Sequence, residues 1–546
     1  MIWSKLFSNK ASSVTTAAVV IAAAGLLSRV LGVVRDRVLA GQFGAGNELD
    51  IYYAAFRIPD LLINLIALGA LSAGFIPVFI GLVHKEEDPT NEANKVAWDF
   101  VSNIVNILSV LLVILGGVLA LLSPWLVPFM TPGFTGEKLR FTIQLTQILF
   151  LSPFILGISS ILGGALQSFR HFLAFSLAPV VYNIGIIVGA LFFVRWWGIY
   201  GLAWGVILGA ILHLLIQVPS LMHLGWRYKT IFNWRDKNFK TVLRLIGPRI
   251  LGLASTQINF IVVTILASTI AVGSLAVFNL ANNLQGFPVS FFGVSFALAV
   301  FPLLSRNYAD NDEAAFQKSF LTTFKQILLF TIPFSALFII LRIQIVRVIL
   351  GSGKFNWTDT VLTADTLGIM CLGLFAQALL PLLVRAFYAR QNTVLPFWAS
   401  FISMLANLAA SWYLIKVWGV LGLAFGYTIG SLVNLVLLIV FLKFKIKDIW
   451  HDGLLAFSFK LTFAALVMGI VTQIIKTIVG TYVDMERFWG VLTQGFVAGL
   501  VGCLVFVGLL YAFKVEELIV VGASIKRRVL GKLRPDKEII RDEDLT

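Results

Sequence analysis

Runs of apolar residues, most of them 20 or more long, follow one another along this chain with short polar turns between them. A helix of about 20 residues is needed to cross the hydrocarbon core of a bilayer. The pattern predicts helices near 14–40, 51–83, 97–122, 139–163, 171–194, 199–222, 242–270, 274–304, 318–341, 361–388, 396–416, 420–442, 455–479 and 488–513, fourteen in all. An even number of crossings returns both termini to one side. The fold class predicted is therefore an all-α integral membrane protein.

The pattern also repeats. Val194-Arg195-Trp196-Trp197-Gly198-Ile199-Tyr200-Gly201-Leu202-Ala203-Trp204-Gly205 is echoed by Ile415-Lys416-Val417-Trp418-Gly419-Val420-Leu421-Gly422-Leu423-Ala424-Phe425-Gly426, and Gly209 and Gly430 keep the register. The offset spans six helices, so the two units share one membrane orientation. This divides the chain into a six-helix lobe in 1–222, a linker at 223–241 and a second six-helix lobe in 242–442. Two additional helices follow within 443–513, then a basic tail at 514–546. Parallel repeats related by an axis along the membrane normal are a transporter architecture, with the binding site between the lobes.

Composition agrees with the pattern: 59% of the 546 residues are hydrophobic and 13% charged, a balance outside the range of soluble domains. The net charge of +15 lies mainly in short loops and the tail. It reports topology and contact with anionic lipid, and not a nucleic-acid partner. Lys5, Lys10, Arg227, Lys229, Arg235, Lys237, Lys240, Lys443, Lys445 and Lys447 fall on one side with the tail. By the positive-inside rule that side, with both termini, is cytoplasmic. Cys371 and Cys503 lie in apolar spans, which excludes a disulfide framework.

Charge inside the first predicted helix is the main exception to this apolar pattern. Arg29, Arg35, Asp36 and Arg37 fall in or beside one span, although a charge at mid-bilayer costs roughly 2.5–3.5 kcal/mol on insertion scales. Arg29 lies about 22 Å along the helix from its start, which favours a wet cavity; a surface position snorkelling to phosphates is the other reading. Arg57 in the second helix is open to both. In the second lobe, Gly247-Pro248-Arg249 opens the seventh helix, and the eighth carries Asn279, Asn282 and Asn283. Such asparagines serve either as glue between helices or as a neutral hydrogen-bonding wall for sugar and amide groups.

Motifs for chemistry are missing. Gly351-Ser352-Gly353-Lys354 lacks the spacing of a nucleotide-binding loop, and the five histidines have no metal-ligand spacing. No cofactor, metal or catalytic residue is predicted. The expectation is a transporter and not an enzyme.

The residues already quoted carry a resemblance. Ser28-Arg29-Val30-Leu31-Gly32 with Arg35-Asp36, Phe43-Gly44-Ala45-Gly46, Asp50, Ala55-Phe56-Arg57-Ile58-Pro59 and Gly69-Ala70-Leu71-Ser72-Ala73-Gly74-Phe75-Ile76-Pro77 resemble the MurJ (MviN) family of lipid II flippases. The likeness continues through Gly247-Pro248, Phe287-Pro288, Gly353-Lys354-Phe355 and Arg385-Ala386-Phe387-Tyr388-Ala389-Arg390. It implies the multidrug/oligosaccharidyl-lipid/polysaccharide exporter (MOP) fold. It also implies a central cavity for the lipid-linked peptidoglycan precursor, in a bacterial cytoplasmic membrane, and a groove for its polyprenyl tail on the final helix pair. Arg29, Arg35 and Asp36 match the family's cavity charges. An Arg pair expected in the second helix is replaced by Ile63 and Asn64, a Glu shortly after by Leu68, and a cation in the eighth helix by Asn283. Arg249 is a candidate replacement. The resemblance thus implies the transporter more strongly than one substrate. Export of another lipid-linked oligosaccharide or a drug, and a membrane-embedded glycan transferase, stay open on the residues alone.

Overall fold

The computed structural model describes residues 14–68, 74–83, 94–446 and 453–518, and every regular element among them is helical. In chain order the first helices are α1 (Val14–Phe43), α2 (Asn47–Ala55), α3 (Arg57–Leu62), α4 (Ile76–Leu82), α5 (Lys95–Met130), α6 (Gly136–Leu149) and α7 (Leu151–Ser168). Next come α8 (Phe172–Val188), α9 (Tyr200–Leu215), α10 (Lys237–Ser268), α11 (Ser274–Pro288), α12 (Ser295–Ala309), α13 (Glu313–Ile340) and α14 (Arg342–Leu350). The last are α15 (Trp357–Cys371), α16 (Leu374–Ala389), α17 (Val394–Trp418), α18 (Val420–Lys445), α19 (Gly453–Gly480) and α20 (Phe488–Ala512).

Among the described residues, ten helical stretches are long and apolar enough to cross a membrane, and eleven if α15 and α16, bent by 48°, make one crossing. The other three expected crossings are helical as well. α1 carries its four charges between 29 and 37. The second is broken into α2, α3, a π-helical stretch Ile63–Leu68 and α4, with Gly69–Ala73 outside the described residues. α10 is one long helix, Lys237–Ser268. The basic tail beyond residue 518, expected along anionic lipid, also lies outside the described residues.

The chain forms two compact units, one of residues 1–287, 342–373 and 392–438, the other of 288–341, 374–391 and 439–546. In the first, α8 and α9 touch backbone to backbone. A Cβ at Gly185 would meet Gly209, and one at Gly189 would meet Gly205, so these glycines are small because a neighbouring main chain occupies the space. The sequence echo has a local geometric counterpart. Gly198 and Gly419 each end a helix with φ 54° and ψ of −138° and −129°, a conformation that costs an L side chain strain. Three residues on, Gly201 backs onto Phe193 and Val194, and Gly422 onto Leu414 and Ile415. The same tight corner is built twice. An aromatic cluster fills the space between α4 and α5: Phe75 stacks on Phe100 at 5.8 Å between centroids, and Phe79 meets Trp98 at 5.9 Å.

In the second unit, Phe292 lies on a π-helical stretch Val289–Val294 and stacks on Phe330 of α13 at 4.9 Å. α13 also packs against α19, which pairs with α20. The α19 face bearing Leu455, Phe459, Leu466 and Ile470 is exposed and apolar.

Candidate functional site

α1 is two-faced. Leu26, Leu27, Val30 and Val34 are exposed, while Asp36 is buried and Arg29 and Arg35 are half-buried or nearly buried. Arg35 donates Nε and Nη2 to Asp36 Oδ1 at 3.0 and 2.8 Å. Its third contact is Nη1 to Asn183 Oδ1 of α8 at 3.1 Å. Asn183 is held in turn by donating to the main-chain oxygens of Ser28 and Pro179. The second oxygen of Asp36 accepts from Asn283 Nδ2 of α11 at 3.0 Å. The carboxylate is thus satisfied on both oxygens, as a buried charge requires. Arg29 differs: its Nη1 is buried with no hydrogen-bond partner among the described residues.

Arg57 opens α3 and is spread over α10 and α11. Its Nε donates to Thr264 Oγ1 at 2.8 Å and its Nη2 to Asn279 Oδ1 at 2.6 Å, with the guanidinium 5.3 Å from the Phe260 ring centroid. Asn279 and Asn283 therefore each hold a charged residue, one Arg57 and the other Asp36. Asn282, between them, is half-buried and takes part in neither bond. Arg249 belongs to α10, and its side chain lies outside the described residues. Ile63 and Asn64 are in the π-helical stretch, where Asn64 Nδ2 donates to the Asp60 carbonyl at 2.7 Å.

Three further ties were not legible in the sequence. Arg37, which its position near the helix end marks as a surface anchor, donates Nη1 to the carbonyls of Val348 and Ile349 at 2.5 and 3.2 Å. It caps the negative end of α14. Asp50 at the start of α2 is buried and accepts from Lys138 Nζ at 2.7 Å and from the main-chain N–H groups of Gly273 and Ala276 at 2.8 and 2.9 Å. It therefore caps the positive end of α11. Beside it, the Phe43–Gly46 turn docks on Gly353–Asp359: Lys354 N–H donates to the Gly41 carbonyl, and Ala45 N–H donates to Asp359. Among the partners the sequence reading missed, Asn183 had a visible signal, a lone amide in an apolar run. Among the histidines, His213 lies inside the helix packing and bonds Ser159 Oγ through Nδ1 at 2.7 Å, with Gln217 donating to Ser159 at 2.6 Å. Polar contacts between packed helices explain that residue.

Chemically, α1 offers one guanidinium whose Nη1 is unpartnered among the described residues and another that makes three hydrogen bonds, two of them to a carboxylate. Planar forked donors of this kind match phosphate oxygens.

The chain is similar to known proteins over most of its length. A family model described as "Lipid II flippase MurJ" matches residues 39–493. A "Probable lipid II flippase MurJ" of Buchnera aphidicola subsp. Acyrthosiphon pisum (strain APS) is 32% identical over 420 residues, which are 76% of this chain and 80% of that protein. A solved structure described as "Lipid II flippase MurJ, inward closed conformation" has a TM-score of 0.74 at 24% identity, covering 91% of this chain and 100% of its own. An inward-facing multidrug resistance MATE family transporter of the MOP superfamily has a TM-score of 0.63 at 16% identity, covering 79% and 98%. The chain is an all-helical, multi-pass membrane protein with the fold of that superfamily, and it belongs to the MurJ family of lipid II flippases.

Proposed function

We propose that this protein moves lipid II, the polyprenyl-pyrophosphate-linked peptidoglycan precursor, from the inner to the outer leaflet of the bacterial cytoplasmic membrane by alternating access. Both termini face the cytoplasm in this reading, and the chain acts as a transporter without catalytic chemistry. Family membership supports the substrate class. The observation that carries the site is the buried Arg29 Nη1 without a partner among the described residues, on the same helix as the Arg35–Asp36 pair. Arg29 takes the pyrophosphate first. Arg35 is released to it when Asp36 is held by Asn283 alone. The ties from Arg57 to Asn279 and from Asp36 to Asn283 link segments 14–68 and 264–283. Rocking of the proposed lobes 14–222 and 242–442 would break and remake them. Asn282 and Arg249 complete the proposed wall on the second-lobe side.

The test is rescue of cells depleted of their own lipid II flippase, paired with flipping of fluorescent lipid II in vesicles. Rescue and lipid II flipping by the wild type, both lost in Arg29→Ala, are expected. Movement of a polyprenyl-linked oligosaccharide without the peptide, or of a cationic drug, but not of lipid II, would replace the substrate assignment.

A further inference from the structure

The segment joining α9 to α10 is strapped down. Lys229 pairs with Asp99 of α5. Asn106 donates to the carbonyls of Lys229 and Ile231 at 2.9 and 2.8 Å and accepts from Tyr228 Oη at 2.8 Å. Asn103 exchanges two bonds with the main chain of Asn233, at 3.1 and 2.7 Å. One polar face of an otherwise apolar helix thus holds residues 228–233 across it.

Beside this strap lies a cavity of about 560 Å³, a size that takes a small ligand or part of a larger one. Its walls are Val105 and Val110 of α5, Phe154, Ile158 and Leu162 of α7, and Leu214. The polar lining is limited to Asn106, Ser109, Tyr228 and Thr230, and no lining residue is charged. A sugar or peptide would lose its hydrogen bonds to water there and gain few in return. A hydrocarbon chain loses nothing. The wall continues outward along α5 into Val113 and Ile114, both exposed, which is the surface a membrane helix presents to lipid.

The strap has the composition of the headgroup level. Tyr228, Phe232 and Trp234 are exposed between Arg227, Lys229 and Arg235. Amphipathic aromatics mark membrane–water interfaces, and cations on the cytoplasmic side attract anionic lipid. Arg227 and Arg235 are exposed, whereas Lys229 is engaged by Asp99. Trp226 lines the cavity, is buried, and has an Nε1 with no hydrogen-bond partner among the described residues.

We propose that this cavity is a binding site for an anionic glycerophospholipid, with one acyl chain between α5, α7 and α9 and its phosphate against Arg227 and Arg235. The lipid and the α5 bonds together fix the α9–α10 connection to the membrane surface. The site is separate from the α1 charges and does not depend on which substrate is carried.

Full-length protein in nanodiscs is photolabelled with phosphatidylglycerol or phosphatidylcholine bearing a diazirine on one acyl chain, and the labelled peptides are mapped. The expected result is phosphatidylglycerol labelling at 105–110 and 154–162, reduced in Ser109→Trp to the level found elsewhere on the protein. Neutralising Arg227 and Arg235 with Gln should lower the preference for phosphatidylglycerol roughly fivefold for each cation removed. These two positions are exposed, so this arm does not depend on how well the cavity-filling variant folds. Labelling that persists in Ser109→Trp, or equal labelling of the wild type by both lipids, would overturn the proposal.

Discussion

Replacing Asp50 tests how the start of α2 is held. Its carboxylate, 3% exposed at the side chain, faces Lys138 at 2.7 Å and two main-chain N–H groups at the start of α11. A hydrogen bond to a charged group is worth about 1.5–3 kcal/mol, and the helix terminus adds about 0.3–1 kcal/mol. These terms share one carboxylate and do not add. Removing one partner of a buried pair costs about 3–5 kcal/mol, and Asp50→Ala should fall in that range. It leaves the Lys138 ammonium with the Phe134 ring, 4.0 Å away, and opens the N–H groups of Gly273 and Ala276. Asp50→Asn keeps an oxygen for one of them and loses the charge, so about 1.5–3 kcal/mol is expected. Lys138→Met relieves the stranded cation, and the double variant Asp50→Ala/Lys138→Met should be less damaged than the sum of its parts by about 0.5–3 kcal/mol. SDS-induced unfolding of the four proteins in mixed micelles reads the cycle. A double variant equal to the sum of the singles within about 0.5 kcal/mol would refute the coupling, and with it the role of Asp50 as the link between α2, α6 and α11.

Arg29→Ala should weaken lipid II binding by roughly one to two decades, and Arg29→Lys should recover only part of this because an ammonium lacks the planar fork. Exposed Arg195→Ala serves as control, and equal, mild effects at both positions would make Arg29 a surface anchor. Arg37→Ala should lower stability by about 1–2 kcal/mol through the loss of two carbonyl contacts at the end of α14, with lipid II affinity unchanged; a loss of affinity in a stable variant would instead place Arg37 in the binding site. Gly189→Ala puts a Cβ into the Gly205 backbone and should cost about 1–3 kcal/mol. Gly117→Ala meets nothing within 4 Å and should be neutral in the same unfolding assay.

Sequence by itself determined that the chain is a membrane protein, where most crossings run, and which helix carries charge. The run read at 488–513 is α20 at Phe488–Ala512, and that read at 97–122 lies inside Lys95–Met130. This works because insertion depends on hydrophobicity summed over about 20 contiguous residues, which is a local property. The repeated Trp-Gly corner was legible for a similar reason: Gly201 and Gly422 each back onto chain within ten residues of themselves. Only the tertiary structure decided what each polar group is for. Arg35 and Asn183 are 148 residues apart, Arg57 and Asn279 are 222 apart, and Asp36 and Asn283 are 247 apart. Read locally, Asp50 was one polar residue in a turn, and Lys138 gave no hint of being its partner. The break of the second helix into pieces and the 48° bend between α15 and α16 likewise have no hydrophobic signature. A buried charge must find its partner wherever packing brings one. That choice is made among helices that the sequence can place in a membrane but cannot place beside one another.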